Sequence, residues 1–171
     1  IEAGRMQDAL HINERLSAAD PEDDDVRYRL IQLYARTGEL KKGIQLATEL
    51  QKRFQPMPEA YGQLTKMKIQ LLALSKDSVA VGREYRAWAA LYPEDRRPYY
   101  DWILHLFQTG GAKEAEKQLA SDVRAGRISS GDATALRVHK YILQKDYPAA
   151  EAELVRLTPD KKIGADRKSV V

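Results

Sequence analysis

The stretch PEDDDVRYRLIQLYARTGELKKG at residues 21–43 returns at 93–115 as PEDRRPYYDWILHLFQTGGAKEA, 72 residues further on and without a gap. The two copies share Pro-Glu-Asp, a Tyr, an Ile, Thr-Gly and a Lys. Such an echo constrains the fold more than any composition figure. A unit that cannot bury its own apolar face has to stack on a near-copy of itself. The apolar residues recur with helix period, as in Leu30, Leu33 and Tyr34, or Leu64, Met67, Leu71 and Leu74. Gly, Pro and short polar runs cut that pattern every dozen or so residues, and no stretch alternates with period two for long enough to make a strand. The expected class is all-α.

Punctuation falls at regular intervals. Asp20-Pro21, Gln55-Pro56 and Tyr92-Pro93 each close a helix-like run, with spacings of 35 and 37 residues. A proline disfavours the helical conformation of the residue before it. Gly4, Gly38 and Gly110 form a second marker, each followed five residues later by a small residue: Ala9, Gly43 and Ala115. The last unit keeps Ala150 but has Lys145 where the glycine is expected. Glycine suits a left-handed turn between two helices, and the small residue lets two helices cross closely. Helices are therefore predicted over 5–18, 24–36 with 40–54, 58–74 with 77–91, 96–108 with 112–125, and 131–144 with 148–157. The units run 1–20 (a lone second helix), 21–56, 57–93, 94–129 and 130–159, with 160–171 a basic tail or the start of a further unit. Asp132 is expected to cap its helix. Pro148 sits where a missing N–H costs nothing. Glu22-Asp23-Asp24-Asp25 reads as a helix-start device rather than a metal cage.

The unit resembles the tetratricopeptide repeat. After Pro21, Leu30, Tyr34 and Gly38 match its pattern, with Gly43 replacing an Ala and Pro56 one residue late. After Pro93, Tyr99, Trp102, Leu106, Gly110, Ala115 and Leu119 follow in register, and the last unit offers Tyr141, Ala150 and Leu154. Between Pro56 and Pro93 the match splits: Tyr61 and Leu64 fit from the left, Tyr85, Trp88 and Pro93 from the right. A longer first helix is expected there. The resemblance implies a right-handed superhelical solenoid of antiparallel helix pairs, about nine helices in all, whose first helices line a concave groove for a partner protein or peptide. By register that groove shows Tyr28, Gln32 and Arg36, then Arg97, Tyr100, Leu104, Phe107 and Gln108, then Asp132, Ala135 and His139. Lys66, Ile69 and Gln70 join it if the middle unit keeps its left-hand register. Leu104 and Phe107 read equally as core, whereas Tyr28 and Tyr100 echo each other and fall off the core stripe. The places that clamp a C-terminal carboxylate in some members read here as Tyr28 and Gln32, then Arg97 and Asp101, which speaks against a chaperone-tail clamp.

Chemistry is sparse. No Cys is present, which removes disulfides, thiolate metal sites and a Cys nucleophile while leaving the compartment open between periplasm and cytoplasm. His11, His105 and His139 lie in three different units and form no ligand motif, and Gly110-Gly111 lacks the Lys of a phosphate loop. No catalytic residue, metal or cofactor is expected. The formal charge of +3 belongs wholly to residues 156–171, where Arg156, Lys161, Lys162, Arg167 and Lys168 face only Asp160 and Asp166. The remainder is net neutral, which argues against an RNA-reading helical array, since phosphate neutralisation supplies much of such affinity. No apolar run is long enough to span a bilayer. The chain opens Ile-Glu-Ala-Gly without an initiator Met, and is read as a piece of a longer protein. The expectation is a non-enzymatic protein-interaction scaffold. Its Ala/Arg/Leu-rich, Cys-free repeats resemble periplasmic arrays of bacterial envelope proteins, including those of exopolysaccharide export. A cytosolic co-chaperone or regulator and an RNA-binding array are the alternatives.

Overall fold

The computed structural model describes residues 2–157, and among them the chain forms nine helices and no strand. In order these are α1 (Glu2–Ala19), α2 (Asp24–Thr37), α3 (Leu40–Arg53), α4 (Pro58–Leu74), α5 (Ser78–Leu91), α6 (Arg97–Gln108), α7 (Ala112–Arg124), α8 (Ser130–Leu143) and α9 (Tyr147–Leu157). The class is an all-α array of helix pairs, as expected. At 17 residues, α4 is longer than α2, with 14, or α6, with 12. The basic tail lies outside the described residues.

Side-chain caps start α2, α5, α8 and α9. The Asp23 carboxylate accepts the Val26 N–H at 3.0 Å, Asp77 accepts that of Ala80 at 2.9 Å and Asp146 that of Ala149 at 3.2 Å. These satisfy donors that the first turn leaves without intrahelical partners. Asp132 is not the cap of α8. Ser129 is: its Oγ accepts the Asp132 N–H at 3.0 Å and donates to Asp132 Oδ2 at 2.7 Å. A serine three residues ahead of a carboxylate closes on it in the manner of a capping box, and sequence spacing alone had placed the cap three residues late.

The turn inside each pair repeats one backbone device. Gly38 and Gly110 hold φ of 82° and 86°, and Lys76 and Lys145 hold 61° and 59°. The left-handed state thus persists where glycine is replaced. The residue after three of these turns bonds back into the helix, Asp77 N–H to Leu72 O at 3.0 Å, Gly111 to Leu106 at 2.8 Å and Asp146 to Tyr141 at 2.9 Å. These Schellman closures impose the conformation on whatever residue occupies the turn. Gly4 makes no turn, because α1 runs through it. A single glycine costs a helix only about 1 kcal/mol, which the surrounding hydrogen bonds absorb.

Counting back from the turn sets the phase of each first helix. Seven residues before it stand Ile31, Ile69, Ile103 and Val138, all buried. Five residues after it stand Gly43, Val81, Ala115 and Ala150, also buried. The register conflict of the middle pair disappears once Lys76 is recognised as its turn residue.

The chain divides into two compact units, one ending at Tyr92 and the other beginning at Pro93. In the first, consecutive helices pack from α1 to α5, and α2 also meets α4. One cluster gathers Leu10, Val26, Leu30 and Tyr34, and another gathers Ile31, Ala47, Leu50, Leu64 and Leu71. Gly43 lies between Tyr34 and Leu71, so three helices converge on the point where it lacks a side chain. Gly62 does the same for the Trp88 ring, whose Cζ2 would stand 2.8 Å from an added Cβ. A polar knot crosses this interior: the buried Gln51 donates to Thr65 Oγ1 at 2.8 Å and accepts from Lys68 at 3.1 Å, while Lys68 pairs with Glu84 at 2.8 Å.

In the second unit α6 packs on α7 and α8, and α8 on α7 and α9. Ile103, Phe107, Ala115, Leu119, Ile128, Ala133 and Leu136 form its core. Asp122 is 1% exposed and holds the bend into α8. It accepts Arg127 Nη2 at 2.7 Å and Gln118 Nε2 at 3.1 Å, and its carbonyl accepts the Arg127 N–H at 2.9 Å.

Candidate protein-interaction surface

Each unit brings the first helices of two consecutive pairs together, and a cleft opens where they meet. In the first unit the α2/α4 cleft has a volume of about 270 Å³. Ile31, Ala35, Met67 and Leu71 form its floor, and the exposed Gln32, Arg36 and Gln70 form its rim. Gln32 and Gln70 stand at the same place in their helices, six residues before the left-handed turn. No hydrogen bond or ion pair among the described residues engages Gln32, Arg36 or Gln70.

In the second unit the cleft lies near the N-termini of α6 and α8, with a volume of about 220 Å³. Arg97, Tyr100 and Asp132 meet there, joined by Arg96, Asp101 and Arg127. Two of the guanidinium groups are already engaged. Arg97 places Nε 2.9 Å and Nη2 3.0 Å from the two oxygens of Asp95, and Arg127 holds Asp122 while its guanidinium lies 5.3 Å from the Tyr99 ring centroid.

The remaining expected groove residues are placed as follows. Tyr28 does not line the α2/α4 cleft; its ring packs at 6.3 Å on Phe54 against the core, and burial raises its pKa. Tyr100 is likewise half-buried against the second core, with its pKa raised first by burial and then by Asp132. Both rings are therefore partly core, contrary to their placement off the core stripe. Phe107 belongs to the core and Leu104 packs against it, while Gln108 is exposed at the end of α6. His139 and Ala135 are half-buried on α8, and His139 Nε2 is enclosed without a hydrogen-bond partner among the described residues. In the middle pair Lys66 and Gln70 are exposed and Ile69 is core.

Residues 1–66 match the tetratricopeptide repeat family model. The tetratricopeptide-repeat match spans α1, α2, α3 and α4 as far as Lys66, the segment that builds one side of the α2/α4 cleft and starts the other. Neither a curated protein nor a solved structure matches the chain. Among the described residues no cluster of His, Asp or Glu is arranged to hold a metal, and no helix is long and apolar enough to cross a membrane.

Sequence reasoning offered Gln70 only on condition of the left-hand register, and passed over Met67 as a groove residue, because it lacked the phase of α4. A signal was available: IQLYARTG at 31–38 returns as IQLLALSK at 69–76, which aligns Lys76 with Gly38 and Gln70 with Gln32.

Proposed function

We propose that this chain is a non-enzymatic protein-interaction scaffold that receives its partner along the faces of its first helices. The observation that carries this is the α2/α4 cleft, where Gln32 and Arg36 share one apolar-floored depression with Gln70 of the next pair. Exposed polar groups with no partner among the described residues, set above apolar floor atoms, form a surface equipped to bind. The tetratricopeptide-repeat match over residues 1–66 supports a protein or peptide as partner. We take α2–α3, α4–α5, α6–α7 and α8–α9 as the repeat units. Photo-cross-linking residues placed at Gln70 and at the exposed Lys52 of α3 test the reading. Adducts at Gln70 and none at Lys52 are expected; adducts at Lys52 alone overturn it.

Within this class, the Ala-, Arg- and Leu-rich repeats, by analogy with periplasmic arrays of bacterial envelope proteins, are the ground for a bacterial envelope setting, with exopolysaccharide export as the assembly served. Fractionation of cells expressing the tagged full-length gene product tests the setting. A purely cytosolic pool would place the protein among cytosolic regulators instead.

A further inference from the structure

We infer that the two lysine-bearing turns, between α4 and α5 and between α8 and α9, are contact points for a bilayer surface with anionic headgroups. This surface is separate from the α2/α4 cleft, and each turn is taken by itself within its own unit.

Backbone comes first. Lys76 and Lys145 stand at φ of 61° and 59°, where a side chain is disfavoured and glycine, present at the other two turns, is at ease. A residue kept in that state against an easier replacement points to a task for its side chain. The surroundings differ in the same sense. Around each lysine seven consecutive residues are exposed, 73–79 and 142–148, whereas the same window around Gly38 or Gly110 includes buried or half-buried ones. Two residues before the lysines stand Leu74 and Leu143, 52% and 44% exposed, and after them come Val79 and Tyr147, 68% and 63% exposed. The glycine turns have Arg36 and Gln108 in the first of these places, and their apolar neighbours Leu40 and Ala112 pack against the cores. A left-handed lysine and exposed apolar side chains thus occur together, once in each unit.

Charge gives the occupant its sign. No hydrogen bond or ion pair among the described residues engages the amine of Lys76 or Lys145. The acids beside them are occupied as caps, Asp77 by the Ala80 N–H at 2.9 Å and Asp146 by that of Ala149 at 3.2 Å. In the first unit the exposed Arg83 and Arg86 follow Val79 at helical spacing, while Glu84 pairs with Lys68 at 2.8 Å. Ser75 also shares a depression of about 440 Å³ with Leu40, Lys41 and Lys42, where Glu39 is held by Lys42 at 2.6 Å. Cation and apolar groups alternate along each turn. An apolar protein surface would strand the amine, and a polar one would strand the aliphatic side chains. A headgroup layer takes both: the amine reaches lipid phosphate while its stem and the neighbouring apolar groups sink below, and a tyrosine ring settles at the boundary. Such contact lies on a bilayer, since no helix among the described residues is long and apolar enough to cross one.

Flotation of the full chain tests this, with vesicles of phosphatidylcholine alone and of phosphatidylcholine mixed with phosphatidylglycerol. The cations near the C-terminus also attract anionic lipid, so the reference chain carries Lys161→Gln, Lys162→Gln, Arg167→Gln and Lys168→Gln. We expect it to float with the mixed vesicles, and less so as salt is raised. Adding Lys76→Gly or Lys145→Gly should weaken binding about fivefold, the share of one cation near an anionic surface. Both should melt no lower than the reference, so that lost binding is not lost folding. Leu74→Ser together with Leu143→Ser should weaken binding as well, because charge alone does not hold the turn. Failure of the reference chain to float with the mixed vesicles overturns the inference and leaves the turns as protein contacts. Unchanged binding in both lysine variants, or in the leucine pair, overturns it too.

Discussion

Gly43 and Leu71 are fitted to each other: a Cβ placed on Gly43 would stand 3.0 Å from both Cδ atoms of Leu71 and 3.1 Å from Cβ of Tyr34. Gly43 belongs to α3, Leu71 to the next pair and Tyr34 to its own, so one missing side chain sets the spacing of three helices. Gly43→Leu should therefore destabilise the chain by about 1–3 kcal/mol through overpacking. Ala115, fully buried at the equivalent position, should respond to Ala115→Leu in the same way. Urea unfolding midpoints check both, and wild-type midpoints would mean that the helices do not converge there.

Lys76 and Lys145 hold left-handed backbone that a side chain disfavours. Relieving it should more than offset the entropy of an added glycine. Lys76→Gly and Lys145→Gly should each stabilise by about 0.5–1 kcal/mol, and Gly38→Ala and Gly110→Ala should destabilise by about 1 kcal/mol. Thermal melts of the four variants should show opposite shifts for the two groups.

The Asp122–Arg127 pair is asymmetric, because Asp122 is 1% exposed while the Arg127 side chain is 37% exposed. Arg127→Ala leaves a buried carboxylate without its cation and should cost about 3–5 kcal/mol. Asp122→Ala leaves a guanidinium that water can reach, and should cost less, about 1–3 kcal/mol. Denaturant titration of both variants gives the order, and a reversed order would refute this account of the α7–α8 bend.

Stability should change with pH at both extremes. Glu14 is held below its ordinary 4.5, chiefly by the hydrogen bond from Lys42; its partial burial opposes the shift and the Tyr34 hydroxyl assists it. Burial pushes Glu116 up, but the bonds from Lys140 and Arg137 outweigh it and leave its pKa lowered. Folded carboxylates of this kind bind protons more weakly than unfolded ones, so their contribution is whole above 4.5 and is lost as pH falls below it. Tyr34 has the opposite sign. Burial, with Glu14 accepting from its hydroxyl, raises it from 10.0 to about 12, so its contribution is whole below 10 and is lost as pH rises toward 12. Urea midpoints measured across pH should show a flatter acid limb for Glu14→Gln and Glu116→Gln, and a flatter alkaline limb for Tyr34→Phe.

The sequence by itself determined the helices. Their existence and their limits to within a few residues follow from apolar period, proline stops and glycine turns, all written locally. The 72-residue echo was enough to show that helix pairs recur. The acidic run Glu22–Asp25 was legible as a helix start because that role depends on one helix, and Gly43 was legible as a small residue because it recurs five residues after a turn. The tertiary structure decided what depends on how neighbouring helices meet. It held Lys76 in the left-handed state, which the turn that closes around it imposes on a residue that otherwise avoids it. It drew Tyr28 and Tyr100 partly into the cores, because Phe54 and the α6–α8 packing reach them from other segments. It brought Gln70 beside Gln32 and Arg36, and it buried Asp122 under Arg127. Helix period fixes which direction a side chain leaves its own helix, but only the packing of a second helix fixes what that side chain meets.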